Sequence, residues 1–259
     1  DSLISGMKLL QTMFDSGAFT EAADSIVELL LLVVRKAFYE GKELEESNDI
    51  IKNVSELLLN DAFELSGIRF AKFAIEVMLQ DELPLGLRIK AYQLIEKSDD
   101  RGCIALLEEF NYDFEPIQQY FQLFINMMIQ ILQSQRDDSS FDFANIFFHN
   151  AGASFEDGKV FLYVIQASAE LTNLEAIGVQ IGLFLLYSIV ESQQEYFSEY
   201  IDIVVKYIVE YADCEDDYIL TYAFYLLIEM AEYVAPSLTT KIDIIVTFLM
   251  KHVNHQEGL

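Results

Sequence analysis

The sequence predicts an all-α fold, a right-handed α-solenoid of about six stacked helical hairpins. Three observations predict it. Apolar residues recur at helical spacing almost throughout. Turn formers are scarce, with 3 Pro and 11 Gly in 259 residues, whereas a sandwich or barrel needs a turn signal every ~8–12 residues. The last third of the chain also repeats itself at a fixed interval. A hydrophobic content of 53% excludes disorder, because that much apolar surface is buried at a gain that outweighs chain entropy.

The elements follow in order. A first helix runs from about Leu3 to Phe14, and Ser16-Gly17 breaks it before Thr20, whose hydroxyl caps a helix reaching Tyr39. Gly41 ends that one. Helices are expected next at about Glu43 to Asn60, Ala62 to Leu79, Leu87 to Lys97 and Arg101 to Phe110, with Pro84 and Ser98-Asp99-Asp100 in the turns. A long amphipathic helix starts near Pro116, tolerated in a first turn because its missing donor would be unpaired there, and runs to Gln133. The region Ser134 to Gly158 is read as an irregular loop around one short apolar helix, Phe141 to Phe148. Regular helices resume at about Lys159 to Leu171, Leu174 to Glu191, Glu195 to Tyr211, Tyr218 to Val234 and Ser237 to Val253. The whole chain, 1–259, reads as one continuous solenoid. The nearly apolar run Ala176 to Val190 is too short for a bilayer and reads as a buried helix.

The repeat lies in the last third. Gly182, Leu185, Ile189, Glu191, Phe197, Ile201, Asp202, Val204 and Ile208 correspond in turn to Ala223, Leu226, Met230, Glu232, Leu238, Ile242, Asp243, Ile245 and Leu249, each pair separated by 41 positions. In each unit a small residue, Gly182 or Ala223, lets the first helix approach its neighbour closely, and the leucines and Ile189/Met230 form the buried stripe. Phe197/Leu238 and Ile201/Ile242 then open the apolar face of a second, antiparallel helix. A single hairpin cannot bury that much surface, so neighbours must stack. Phe121, Ile125, Met128, Ile129 and Leu132 echo the second helix earlier in the chain.

These residues resemble HEAT repeats, and within them the importin-β (karyopherin-β) family. Ala223 to Pro236 looks like the first helix and turn of such a repeat, Ile189 to Ser192 with Glu195 to Ile201 resembles the preceding unit, and Pro116 to Leu132 is similar to a karyopherin second helix. The resemblance covers residues 174–254 and that one earlier helix. It implies a nuclear transport receptor with a small GTPase and basic cargo as partners, and second helices facing a concave surface. One departure is clear: such units often pair a loop Asp with a base in the next first helix, yet after Asp213-Cys214-Glu215-Asp216-Asp217 no base follows until Lys241. The absence of Trp argues against a Trp/Asn ladder of the importin-α or catenin type.

Charge points to the partner class. With 43 acidic against 16 basic residues and a net charge of -27, the chain repels nucleic acid and anionic membrane and attracts basic protein segments, such as those of histone-like or ribosomal proteins. Between Glu191 and Asp217 nine acids face one base, Lys206. Glu195, Glu199 and Asp202, at helical offsets, are expected to line one stripe of a second helix, and with Glu210, Asp213, Glu215, Asp216 and Asp217 they form the candidate partner-binding surface. Tyr196, Phe197, Tyr200, Tyr207 and Tyr211 fall on or beside the buried stripe and are assigned mainly to the core.

No nucleophile elbow, Gly-rich phosphate loop or His-Glu-x-x-His occurs, so no enzyme, cofactor or metal is expected. The acidic runs at Glu43 to Glu46, Asp137-Asp138 and Asp213 to Asp217 lack the alternating ligands of a calcium loop. His252 and His255 are expected to lie exposed near the terminus, and His149 stands isolated. Cys103 and Cys214 suit free thiols in a reducing compartment, cytoplasm or nucleus. A start at Asp1 without Met, and terminal helices that look internal, suggest a piece of a longer solenoid. The competing reading is a structural HEAT subunit of a larger assembly, such as a phosphatase scaffold, a coat or a chromosome-associated complex.

Overall fold

The computed structural model describes residues 66–80, 82–95, 103–104, 106–108, 110–135, 141–155 and 157–253, with the single positions 12, 28 and 32. The expected helices between Leu3 and Asn60, the Asp137-Asp138 and Glu43 to Glu46 runs and His255 lie outside the described residues. The protein is all-α, with no strand among the described residues. It divides into two compact units, Asp1–Leu106 and Leu107–Leu259.

In the first unit α1 (Ser66–Met78) packs against α2 (Leu85–Ile95). Ala71, Phe73, Ala74, Val77 and Met78 of α1 and Ile89, Ala91 and Tyr92 of α2 are buried. The free carbonyl of Met78 at the end of α1 accepts a hydrogen bond from Arg88 Nε at 2.9 Å, which satisfies one of the acceptors that every helix end leaves open.

The second unit holds α3 (Phe114–Gln135), α4 (Asp142–Ser154), α5 (Lys159–Leu171), α6 (Glu175–Ile189), α7 (Gln194–Glu199), α8 (Ile201–Tyr211), α9 (Asp217–Tyr233), α10 (Ala235–Leu238) and α11 (Ile242–Val253). Pro116 sits in the first turn of α3, where no intrahelical donor is lost. The region expected to be irregular is more regular than its polar residues suggested. Helix α4 continues through Asn150-Ala151-Gly152, since Phe147, Phe148 and Ala151 are fully buried. Phe121 of α3 stacks on Phe148, with ring centroids 4.5 Å apart.

The stretch Lys159–Ile189 is long and apolar enough to cross a membrane, yet it is not one straight span. Ser168 Oγ donates to Gly182 O at 3.1 Å although the two residues are 14 apart; in a single helix they would stand about 21 Å from each other. The chain reverses through a 3-10 turn at Thr172–Leu174 and at Glu175, whose φ of 55° is in the left-handed region. Gly178 makes the reversal possible, because a Cβ there would lie 1.7 Å from Leu171 O. Helix α6 is then buried along most of its length, from Gly178 to Leu186 and at Ser188 and Ile189, between α3, α4, α5 and α9.

The 41-residue period recurs in the element bounds: α7 starts at Gln194 and α10 at Ala235, α8 at Ile201 and α11 at Ile242. Both expected second helices are broken at matching places. The first breaks at Tyr200, and the second at the 3-10 turn Thr239–Lys241. At Val234 the chain turns through 113°, where Pro236 enters the first turn of α10.

Candidate partner-binding surface

The site is built on the joint between α5, α6 and α8. Gly182 does what a small residue was expected to do: a Cβ there would lie 2.2 Å from Tyr207 Oη and 3.2 Å from Ser168 Cβ. The buried Tyr207 hydroxyl donates to Ser168 O at 3.1 Å. Ala223, its counterpart, is fully buried. A further joint went unforeseen. Gln193 is 3% exposed, and its Nε2 donates to Gly152 O at 2.7 Å and Phe155 O at 3.2 Å, closing the end of α4. A glutamine in a polar turn gives no sign of burial, so nothing in the sequence marked it.

The expected acidic stripe does not lie on one helix. Glu195 and Glu199 are exposed on α7, but the break at Tyr200, whose ring packs 5.4 Å from that of Phe161, separates them from Asp202 on α8. Asp202 is bound by the Lys241 ammonium. Glu210 faces Lys206 at 3.9 Å. Asp216 is the N-cap of α9, its carboxylate accepting from Tyr218 N at 3.0 Å and Ile219 N at 3.4 Å. Asp217 and Glu215 are exposed, with Asp217 in the first turn of α9, where the helix dipole favours a negative charge.

Asp213 corrects two expectations. The base missing from the expected position comes from α11: Lys251 Nζ lies 2.5 and 2.6 Å from the two Asp213 oxygens, and His252 Nε2 lies 3.1 Å from Oδ1. The hydrogen bond from Lys251 holds the Asp213 carboxyl below its ordinary value against the desolvation that raises it, with the hydrogen bond from His252 adding to the lowering. His252 is not exposed; it is 4% accessible and its ring lies 4.7 Å from that of Phe248, because one face of α11 turns inward. An open cleft of about 500 Å³ separates α8 and α11, lined by Val209, Asp243, Ile244 and Phe248 beside this ion pair.

A second acidic cluster joins the ends of α4, α6 and α9. His149 Nδ1 stands 4.0 Å from Glu191. Partial burial, then the carboxylates of Glu232 and Glu191, hold Glu229 above the ordinary carboxylate value, with His149 opposing them. Among the described residues no group of His, Cys, Asp or Glu is arranged to hold a metal ion. Of the aromatics, Phe197 is fully buried and Tyr207 6% exposed, while Tyr211 is 36% exposed. Cys103 is buried and Cys214 half-buried, and neither is in a disulfide.

Comparison of the chain with protein-family models, with curated proteins and with solved structures finds no match.

Proposed function

We propose that this protein is a non-enzymatic binding scaffold of right-handed stacked HEAT-type hairpins, resembling importin-β receptors, that recognises basic protein segments through its acidic surface. The observation that carries the reading is the recurrence, 41 residues apart, of both helix starts in consecutive second-helix segments, because a repeated hairpin builds an extended binding surface rather than an enclosed catalytic pocket. Glu195 and Glu199 support the basic partner: both are exposed and neither side chain enters an ion pair or hydrogen bond among the described residues. Asp202 and Asp213, occupied by Lys241 and Lys251, are assigned to joining the hairpins rather than to the partner. A small GTPase is the second partner class that the resemblance brings. The reading places the protein in the cytoplasm, the nucleus or both.

A lysine-rich histone-tail peptide titrated into the full chain tests it. Affinity should fall as salt rises, and the E195K/E199K variant should bind at least about threefold more weakly. Absence of binding at low salt, or binding indifferent to salt and to the charge reversals, would sink the reading. A second reading, a structural subunit of a larger assembly, draws on a different observation, the exposed large apolar side chains of α9 and α11.

A further inference from the structure

The ends of α4, α6 and α9 meet at one corner, and negative charge accumulates there from two sources. A helix presents the negative end of its dipole at its C-terminus, where a lysine, arginine or histidine ordinarily offsets it. None of these helices has a basic residue in its last turn. They bring carboxylates instead. Glu191 lies just beyond the end of α6, and Glu232 stands in the last turn of α9, with Glu229 at i−3 on the same face. A cation reaches the corner only conditionally: His149 Nδ1 of α4 stands 4.0 Å from Glu191 and carries charge only when protonated. Glu229 is partly buried there, and burial, then Glu232 and Glu191, hold its carboxyl above the ordinary value, with His149 acting against them. Two neighbouring phenols register the same field. Tyr233 is raised by desolvation, then by Glu191, Glu232 and Glu229, and Tyr187 by desolvation, then by Glu229, Tyr225 and Asp142.

We propose that this corner is a proton-operated clasp: a proton taken up at Glu229 as the pH falls holds the end of α9 against the ends of α4 and α6, and its loss as the pH rises loosens that joint. The clasp is independent of what the protein binds. Neutral Glu229 keeps its partly buried place and gains an O–H donor beside the Glu191 and Glu232 carboxylates. Ionised, it adds a further negative charge among helix C-termini, and that charge regains full solvation only if the end of α9 moves outward. The folded chain therefore takes up a proton at Glu229 between the ordinary value of 4.5 and the higher value that the corner imposes. Stability from this group is complete below the first value and is lost as the pH rises through the second. His149 is the counterweight. As a cation it pairs with Glu191 and weakens the negative potential at Glu229, which limits how far up the pH scale the clasp holds. Glu191 also shares a turn with Gln193, whose Nε2 donates to Gly152 O at the end of α4, so the clasp bears on the segment that leads into α7.

Hydrogen exchange of the full wild-type chain at about pH 5 and about pH 7.5, corrected for the intrinsic rate, tests the clasp. The reporting amides are those of Val234 and Gln193, which donate to Met230 O at 2.9 Å and to Ile189 O at 3.0 Å. Relative to amides at the centre of α6, they should lose at least about threefold in protection at the higher pH. Glu229→Gln, neutral and of the same shape, should keep them protected at both pH values. Glu170→Gln, on α5 and outside the corner, should leave the pH dependence as it is. Carbon-13 NMR of the glutamate carboxyls then reads the coupling, with the Glu229 signal identified by its loss in Glu229→Gln. His149→Gln should raise the Glu229 midpoint, and Glu191→Gln should lower it. Circular dichroism establishes that the variants fold. Equal protection at both pH values in the wild type overturns the proposal without any variant. So does a pH dependence that survives Glu229→Gln, or a Glu229 midpoint that His149→Gln leaves in place.

Discussion

Gly182 shows how much of the fold one methyl group decides. A Cβ at this position would overlap the Tyr207 hydroxyl at 2.2 Å and push it from Ser168 O, leaving buried polar atoms short of a partner. Gly182→Val should therefore lower stability by about 1–3 kcal/mol in urea unfolding. Gly86→Ala is the control, because an added methyl there meets nothing within 4 Å, and it should be neutral or stabilising. The small residue was legible in the sequence because it recurs one period later as Ala223. Its partners were not, since Ser168 and Tyr207 come together only when the chain reverses at Glu175. Glu229 makes a different residue-scale prediction. Its carboxyl is held above the ordinary value of 4.5, so its ionisation opposes folding once the pH rises above that value. Below it the group is protonated folded and unfolded, and the penalty vanishes. Glu229→Gln should raise the thermal midpoint at pH 7 and leave it unchanged near pH 4, and an equal gain at both pH values would refute the electrostatic cause.

At the scale of elements, periodicity located helices well and located their interruptions badly. Lys159–Leu171 has the bounds that the sequence suggested, because its apolar spacing begins and ends with the helix. The break at Tyr200 has no Gly or Pro to announce it; Tyr200 leaves helical geometry at φ -104° and ψ 23° while its ring packs on Phe161. A tertiary contact there overrides a helical pattern that continues unbroken. The same limit explains the acidic stripe: spacing put Asp202 in line with Glu195 and Glu199, and only the fold could reveal that Lys241 takes it. Caps are the complementary case. Asp216 stands just before an apolar-periodic run, and its carboxylate holds the first free amides of α9. Asp216→Ala should cost about 1 kcal/mol, with hydrogen exchange quickening first at Tyr218 and Ile219 and little changed at the centre of α6.

For the whole molecule, the charge of -27 acts against the packing that the hairpins supply. The acids consumed by internal contacts, Asp202, Asp213 and Asp216, are the ones whose electrostatics favour the fold at short range. Those left exposed, such as Glu195, Glu199 and Asp217, repel one another across a surface with few bases to offset them. The two contributions respond differently to salt. Mutual repulsion among exposed carboxylates extends about 30 Å at 0.01 M ionic strength and only about 8 Å at 0.15 M, whereas the Asp213 pair with Lys251 spans 2.5 Å and loses less. Added sodium chloride should consequently raise the thermal midpoint, most steeply below about 0.15 M. Glu195→Lys with Glu199→Lys should raise it at low salt and flatten the dependence. Differential scanning calorimetry over that range decides the matter: a midpoint that falls with salt would mean that the ion pairs between hairpins outweigh the surface repulsion, and that the acidity stabilises the fold rather than opposing it.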